Sequence, residues 1–297
     1  MEANERITRS RQYMADHGMS QEAFGKLLGI AESTISRWFG GNYPSPENIN
    51  AKVDELLEKE GKRKEVKSTG EIGYAETGIS REIWNILEYC QAQKCAGCIY
   101  GDAGIGKTFT VNEWSRGRTD TIVLTVAPAV KSMKAVLKRI AAKLRVKSSG
   151  LLEDLYARLE ERLTETDQVI IIDEAQHLSY STVENIRILA DITKTAVIFV
   201  GNEVVYSRLL GNTSAEFAQI FSRFYMRRHL LTDQFTREDI EKVFGGMEAG
   251  AAEALLEVSR SKYGLRGAVI LYINSRNNND VTEKGLKAMA KVMGIIC

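Results

Sequence analysis

The chain has 297 residues, 44% hydrophobic and 27% charged, with 40 basic against 39 acidic side chains. That is enough for two domains of ordinary size and has the composition of a folded globular protein, which excludes disordered and fibrous classes. A net charge of +1 does not single out a nucleic-acid binder by bulk charge, and no run approaches the roughly 18–20 apolar residues of a membrane span, which excludes a helical one. The charged start MEANERITRSRQ lacks the apolar stretch of a secretory leader, so a cytoplasmic location without a membrane partner is expected.

In chain order, the first patterned segment is SQEAFGKLLGIAESTISRWF, residues 20–39. It reads as two helices, Gln21–Leu28 and Ser33–Phe39, joined by a turn at Gly29, with Gly25 where the helices cross and Phe24, Leu28, Ile30, Ile35 and Trp38 as the shared core. This is the helix-turn-helix plan, and it resembles small phage-repressor DNA-binding domains. Ser33, Thr34, Ser36 and Arg37 are expected on the exposed side of the second helix, where hydroxyls and a guanidinium suit phosphate and groove contacts. Residues 1–70 carry eleven basic and eleven acidic side chains, so charge alone does not single out DNA against a protein-binding bundle. A helix from Pro46 to Glu60 follows, then the polar stretch GKRKEVKSTGEIGY. The expected division is an all-α N-terminal domain over 1–60, a linker over 61–75, a P-loop core over 76–231 and a helical lid over 232–297.

Beyond the linker, apolar β-branched runs alternate with helical patterns. The strands are Gly97–Tyr100, 121–126, 169–172 and 196–200; the helices are Ser80–Gln91, Lys107–Arg116, Ser132–Leu144, Leu151–Leu163 and Thr182–Ile192. Such alternation makes an α/β fold with a parallel sheet covered on both faces, and the region from Thr232 reads as helices alone. Cys95 and Cys98 have C-x-x-C spacing, but no second pair or nearby histidine completes a metal site, and small buried side chains are expected.

GDAGIGKT, residues 101–108, is a complete phosphate-loop pattern between a strand and a helix: Gly101, Asp102, Ala103, Gly104, Ile105, Gly106, Lys107 and Thr108. Its glycines let backbone N–H groups curve around phosphates. Lys107 is expected to reach the β- and γ-phosphates of ATP, and the Thr108 hydroxyl to hold Mg²⁺. VIIIDEAQH, 169–177, delivers Asp173 to the C-terminal edge of a buried strand as the Mg²⁺-associated acid, with Glu174 placed to activate the attacking water. Asn202, at the end of another buried strand, could position the water or the γ-phosphate. In FAQIFSRFYMRRH, Arg223, Arg227 and Arg228 read either as a basic helix end or as an arginine finger. YGLRGA puts Arg266 at a helix start, where a cation is poorly placed for the helix dipole and a ligand role gains weight.

From Arg116 to Lys147 there are nine basic residues and one acid. Within that stretch Lys131, Lys134, Lys138 and Arg139 are the expected contacts to a DNA backbone, with a solvated surface as the alternative.

GDAGIGKT, VIIIDEAQHL, the Asn202 strand end, Arg223 and YGLRGA, in that order, resemble AAA+ ATPases. DEAQHL, GNEVVYSRLLG and EFAQIFSR resemble, more narrowly, the transposition protein B family of phage Mu and its relatives, the target-selecting ATPases of transposons. The resemblance implies that Asn202 is a sensor-1 residue, Arg223 an arginine finger acting on a neighbouring subunit's ATP, and Arg266 the sensor-2 arginine of the lid. It also implies an ATP-driven helical homo-oligomer on double-stranded DNA that recruits and stimulates a transposase and is released by hydrolysis.

Overall fold

The computed structural model describes the backbone of residues 3–16, 18–70, 72–205 and 224–295. The chain forms two compact units, Met1–Glu71 and Ile72–Cys297.

In the first unit, α1 (Ala3–Asp16), α2 (Gln21–Leu28), α3 (Glu32–Phe39) and α4 (Glu47–Gly70) share one core. Ser20 starts α2 by accepting the Ala23 N–H, and Gly29 ends it in the left-handed conformation at φ 64°. Phe24, Ile35 and Val53 are fully buried, with Leu28 and Trp38 beside them. A Cβ on Gly25 would lie 2.9 Å from the Ile30 carbonyl oxygen and 3.2 Å from Ile35 Cγ2, so the glycine sets how closely α2 and α3 approach. The Trp38 indole donates to Asn50 Oδ1 at 2.8 Å, and Arg6 makes two bonds to Asp54, tying α1 to α4.

Two features depart from the sequence reading. Hydrophobic patterning leaves α1 unassigned because two of its inward positions are polar, Arg6 and Ser10, both buried. Helix α4 continues to Gly70 through the first ten residues expected as linker. The stretch Lys59–Lys67 is rich in lysine, arginine and glutamate, good helix formers, and Gly61 costs only about 1 kcal/mol against them.

The second unit holds a five-stranded sheet in the order β2-β3-β4-β1-β5, every neighbouring pair parallel. The strands are β1 (Ala96–Gly101), β2 (Thr121–Thr125), β3 (Val169–Asp173), β4 (Ala196–Gly201) and β5 (Met226–Leu230). β1, β3 and β4 are buried along their whole length, as strands covered on both faces must be. Alternate residues serve the two faces. Ile99, Ile171, Ile198 and Val200 pack with α5 (Gly78–Gln93), α6 (Lys107–Ser115) and the C-terminal helices. Ile170, Ile172, Val197 and Phe199 pack with α7 (Met133–Lys143), α8 (Leu152–Leu163) and α9 (Tyr180–Thr193). Cys95 and Cys98 are buried here, and burial pushes the Cys98 thiol up to about 12.

β5 corrects the basic-helix-end reading for Arg227 and Arg228, since residues 226–230 pair with β1 from Gly97↔Met226 to Gly101↔Leu230; residues 217–223 of that segment lie outside the described residues. As an edge strand it carries charge where an interior strand would be apolar, which hides it from patterning. Arg228 is paired with Glu82 at 2.6 and 2.7 Å, and His229 stacks on Tyr100.

After β5 the described residues are helical: α10 (Arg237–Phe244), α11 (Ala249–Arg260), α12 (Gly264–Asn277) and α13 (Glu283–Val292). Thr236 and Asp239 cap α10 reciprocally, and Asp239 also accepts the Gly78 N–H at 2.7 Å, joining this helical group to the start of α5. Among the described residues no helix is long and apolar enough to cross a membrane.

Candidate functional site

The carboxyl ends of β1, β3 and β4 converge on a cavity of about 500 Å³. The phosphate loop leaves β1 at Gly101, whose φ is 143°; a Cβ there would stand 1.8 Å from the Leu230 carbonyl oxygen, so only glycine permits the pairing with β5 and the turn into the loop. Gly104, at φ 77°, is pressed by the start of α12, with the Tyr263 carbonyl 2.9 Å from where a Cβ would be. The Arg266 N–H donates to the Gly104 carbonyl at 3.0 Å. This backbone contact seats α12 on the loop and brings Arg266 to the cavity wall.

Lys107 is half-buried, and its ammonium donates to the carbonyls of Gly101 at 3.0 Å and Asp102 at 2.6 Å. Burial lowers its pKa, opposed by Asp173, Asp102 and Glu174. The Thr108 hydroxyl donates to Asp173 Oδ2 at 2.7 Å across 65 residues of sequence. Asp173 is buried, which pushes its carboxyl pKa up against the hydrogen bonds from Thr108 and from the Glu174 N–H at 2.9 Å. Two hard oxygen donors at this separation suit a magnesium ion completed by phosphate and water.

Glu174 takes a left-handed backbone conformation, φ 57°, which turns the chain sharply out of β3. Gln176 returns its amide to the Glu174 carboxylate. Asn202 lines the cavity with its Oδ1 held by the Val204 N–H at 3.0 Å.

The structure thus brings Lys107, Thr108, Asp173, Glu174, Asn202 and Arg266 to one cavity, together with Ala103, Gly104, Ile105 and Gly106. Gly101 and Asp102 form the base of the loop: the Asp102 carboxylate accepts the N–H and hydroxyl of Thr232 at 2.8 and 3.0 Å. Arg223 lies outside the described residues. Sequence reasoning missed the apolar wall of Ile72, Tyr74, Val243, Leu265 and Val269. Tyr74, which stacks on Phe109, falls inside the stretch expected as linker, where its one aromatic ring is the available signal.

The expected DNA contacts lie elsewhere. Ser33, Ser36 and Arg37 are exposed on α3, with Thr34 half-buried. Lys131, Lys134 and Lys138 are exposed, but Arg139 is tethered, donating to the Thr125 carbonyl at 2.7 Å.

Comparison with known proteins agrees with this geometry. The AAA domain family matches residues 91–209 and the helix-turn-helix family residues 11–51. The Mu-like prophage FluMu DNA transposition protein B of Haemophilus influenzae is 29% identical over 73% of this chain and 77% of its own length. The ATP-dependent target DNA activator B of Escherichia phage Mu is 28% identical over 67% of this chain; the match spans 64% of that protein, less than two thirds. Among solved structures, the Aeropyrum pernix ORC2 protein shares the fold, with a TM-score of 0.54 at 13% identity over 75% of this chain and 70% of that one. The chain thus carries an AAA domain over residues 91–209 and a helix-turn-helix over 11–51, is an ATPase, and is similar over most of its length to the transposition protein B of a Mu-like prophage.

Proposed function

We propose that this ATPase binds DNA with little regard to sequence, assembles with copies of itself on target DNA in the presence of ATP, and recruits and activates a transposase, hydrolysis releasing it. The observation that carries the reading is the joining, in one chain, of a phosphate-binding and hydrolytic set with a helix-turn-helix, over a length similar to a protein named ATP-dependent target DNA activator B.

In the proposed hydrolysis, water attacks the γ-phosphorus, the new O–P bond forms as the β–γ bridging P–O bond breaks, and ADP leaves. Lys107 exchanges its bonds to the Gly101 and Asp102 carbonyls for phosphate oxygens. Glu174 accepts the water's proton, and Asn202 and Arg266 address the γ-phosphate. Thr108 and Asp173 would hold Mg²⁺, which when bound neutralises developing phosphate charge. Arg223 serves a neighbouring subunit's nucleotide. Lys131, Lys134 and Lys138 contact DNA phosphates from a face on which they keep no acidic partner among the described residues.

A second reading, a nucleotide-switched regulator of one operator, is favoured by the exposed Ser33, Ser36 and Arg37 of α3. Binding to random-sequence duplex DNA with ATP, with ADP and without nucleotide, imaged by negative-stain microscopy, separates the two. Filaments with ATP alone are expected. Binding confined to one sequence would transfer the assignment to the regulator, and equal binding in all three states would overturn both.

A further inference from the structure

Gln176 lies within VIIIDEAQH but is given no role above, yet its amide bridges two residues of the hydrolytic set. Its Oε1 accepts the backbone N–H of Asn202 at 3.4 Å, and its Nε2 donates to Glu174 Oε2. The chemistry fixes which end of the amide is which. A backbone N–H can only donate and an ionised carboxylate can only accept, so the oxygen faces Asn202 and the NH₂ faces Glu174. β4 is shaped to admit it. Its last residue is Gly201, where a Cβ would stand 2.4 Å from Gln176 Oε1 and 2.3 Å from Val205 Cγ2. The side chain itself is half-buried and lines the cavity.

A partly exposed carboxylate on a left-handed turn has rotamers enough to miss a water by about an ångström. The Glu174 side chain is 45% exposed, and among the described residues the basic side chain within ion-pair reach is the His177 imidazole at 4.0 Å. With Oε2 engaged by Gln176, the Glu174 carboxylate is pinned and Oε1 is left to the water. The other end of the amide is anchored on the backbone of Asn202, the cavity residue proposed above to address the γ-phosphate. We infer that Gln176 is a positioning residue for ATP hydrolysis: its amide fixes the Glu174 carboxylate relative to the end of β4, so that base and phosphate sensor share one frame. The inference rests on Glu174 as the acceptor of the water's proton.

The test is a double-mutant cycle in the full-length protein, with Gln176→Ala, and Gln176→Met to keep the volume without the amide, each in the native and Glu174→Gln backgrounds. Single-turnover hydrolysis gives the rate, a fluorescent ADP analogue the nucleotide affinity, and thermal melting the fold. In the native background both Gln176 variants should lose roughly ten- to a hundredfold in kcat, the scale of misplacing a reacting group by about an ångström, with KM and ADP affinity within about twofold and an unchanged Tm. In the Glu174→Gln background the same substitutions should change the residual rate by less than about twofold, because a residue acting through another has nothing left to act on. An equal loss in both backgrounds, a parallel loss of nucleotide affinity, or a rate at or above the native one would overturn the inference. If Glu174→Gln alone leaves turnover unchanged, the base assignment fails and the inference with it; if Glu174→Gln is slow while both Gln176 variants are native-like, the inference alone fails.

Discussion

The cavity at the carboxyl ends of the strands and the basic face of α7 both suit phosphate groups, but they are built in opposite ways. In the cavity the polar side chains have partners: Lys107 sits on two carbonyls, Thr108 on Asp173, Glu174 on Gln176, and Asn202 on the Val204 N–H. On α7, Lys134 and Lys138 are exposed, while Arg139 is tethered. Phosphoryl transfer requires reacting groups held to a fraction of an ångström, so the fold commits hydrogen bonds to pre-organisation. Neutralising a polyanion requires charge within a few ångströms, and lysines that keep their rotamer freedom do this on any sequence.

The largest expected effect breaks the cavity side of this contrast. Glu174→Gln should slow hydrolysis by at least about a hundredfold, the usual contribution of a positioned base, while leaving ATP affinity within about twofold. Steady-state phosphate release and nucleotide titration measure the two, and native turnover would remove Glu174 from the mechanism.

The α7 side is probed by replacing Lys131, Lys134 and Lys138 together with alanine. Affinity for duplex DNA should fall at every salt concentration, and the slope of log affinity against log salt should shrink by about 0.9 for each phosphate no longer neutralised, or about 2.7 for three. Hydrolysis without DNA should stay unchanged. An unaltered salt slope would return this face to ordinary solvated surface.

A smaller effect distinguishes a fixed ion pair from the loose lysines. Arg6 holds the Asp54 carboxyl below the ordinary carboxylate value through their hydrogen bonds. A carboxylate with a lower pKa folded than unfolded contributes stability above its unfolded value, and that contribution disappears as pH falls through the folded one. Amide protection along α1, measured against the intrinsic exchange rate at each pH, should therefore fall below the ordinary carboxylate range in the native protein. Asp54→Asn should show fast exchange already at about pH 7 with a flatter acid response. Because Asp54 is more than a third exposed, the change is at most about 1 kcal/mol.

The same contrast explains what is legible in the sequence. GDAGIGKT and VIIID stand out because each position answers a steric or chemical demand, and Thr108 and Asp173 do meet. The α2–α3 core is readable from Phe24 to Trp38 because apolar spacing there is strict. β5 is not, since Met226, Arg227, Arg228 and His229 draw their strand character from pairing with β1 rather than from their own propensity. Arg139 groups with the free lysines in the sequence because its tie to the Thr125 carbonyl is a tertiary contact with no local signature. The role of Gln176 escapes notice for a related reason: Glu174 and Asn202 lie two and 26 residues away from it, and only the fold places them on either side of one amide.

The bond from the Arg266 N–H to the Gly104 carbonyl has a wider consequence. It joins the C-terminal helices to the turn of the phosphate loop, so a displacement of one is felt by the other. Linkage makes that coupling symmetrical: if nucleotide changes the affinity of a protein partner for α12 by some factor, the partner changes nucleotide affinity by the same factor. A protein whose grip on these helices differs with nucleotide would therefore set how tightly ATP binds, without touching it.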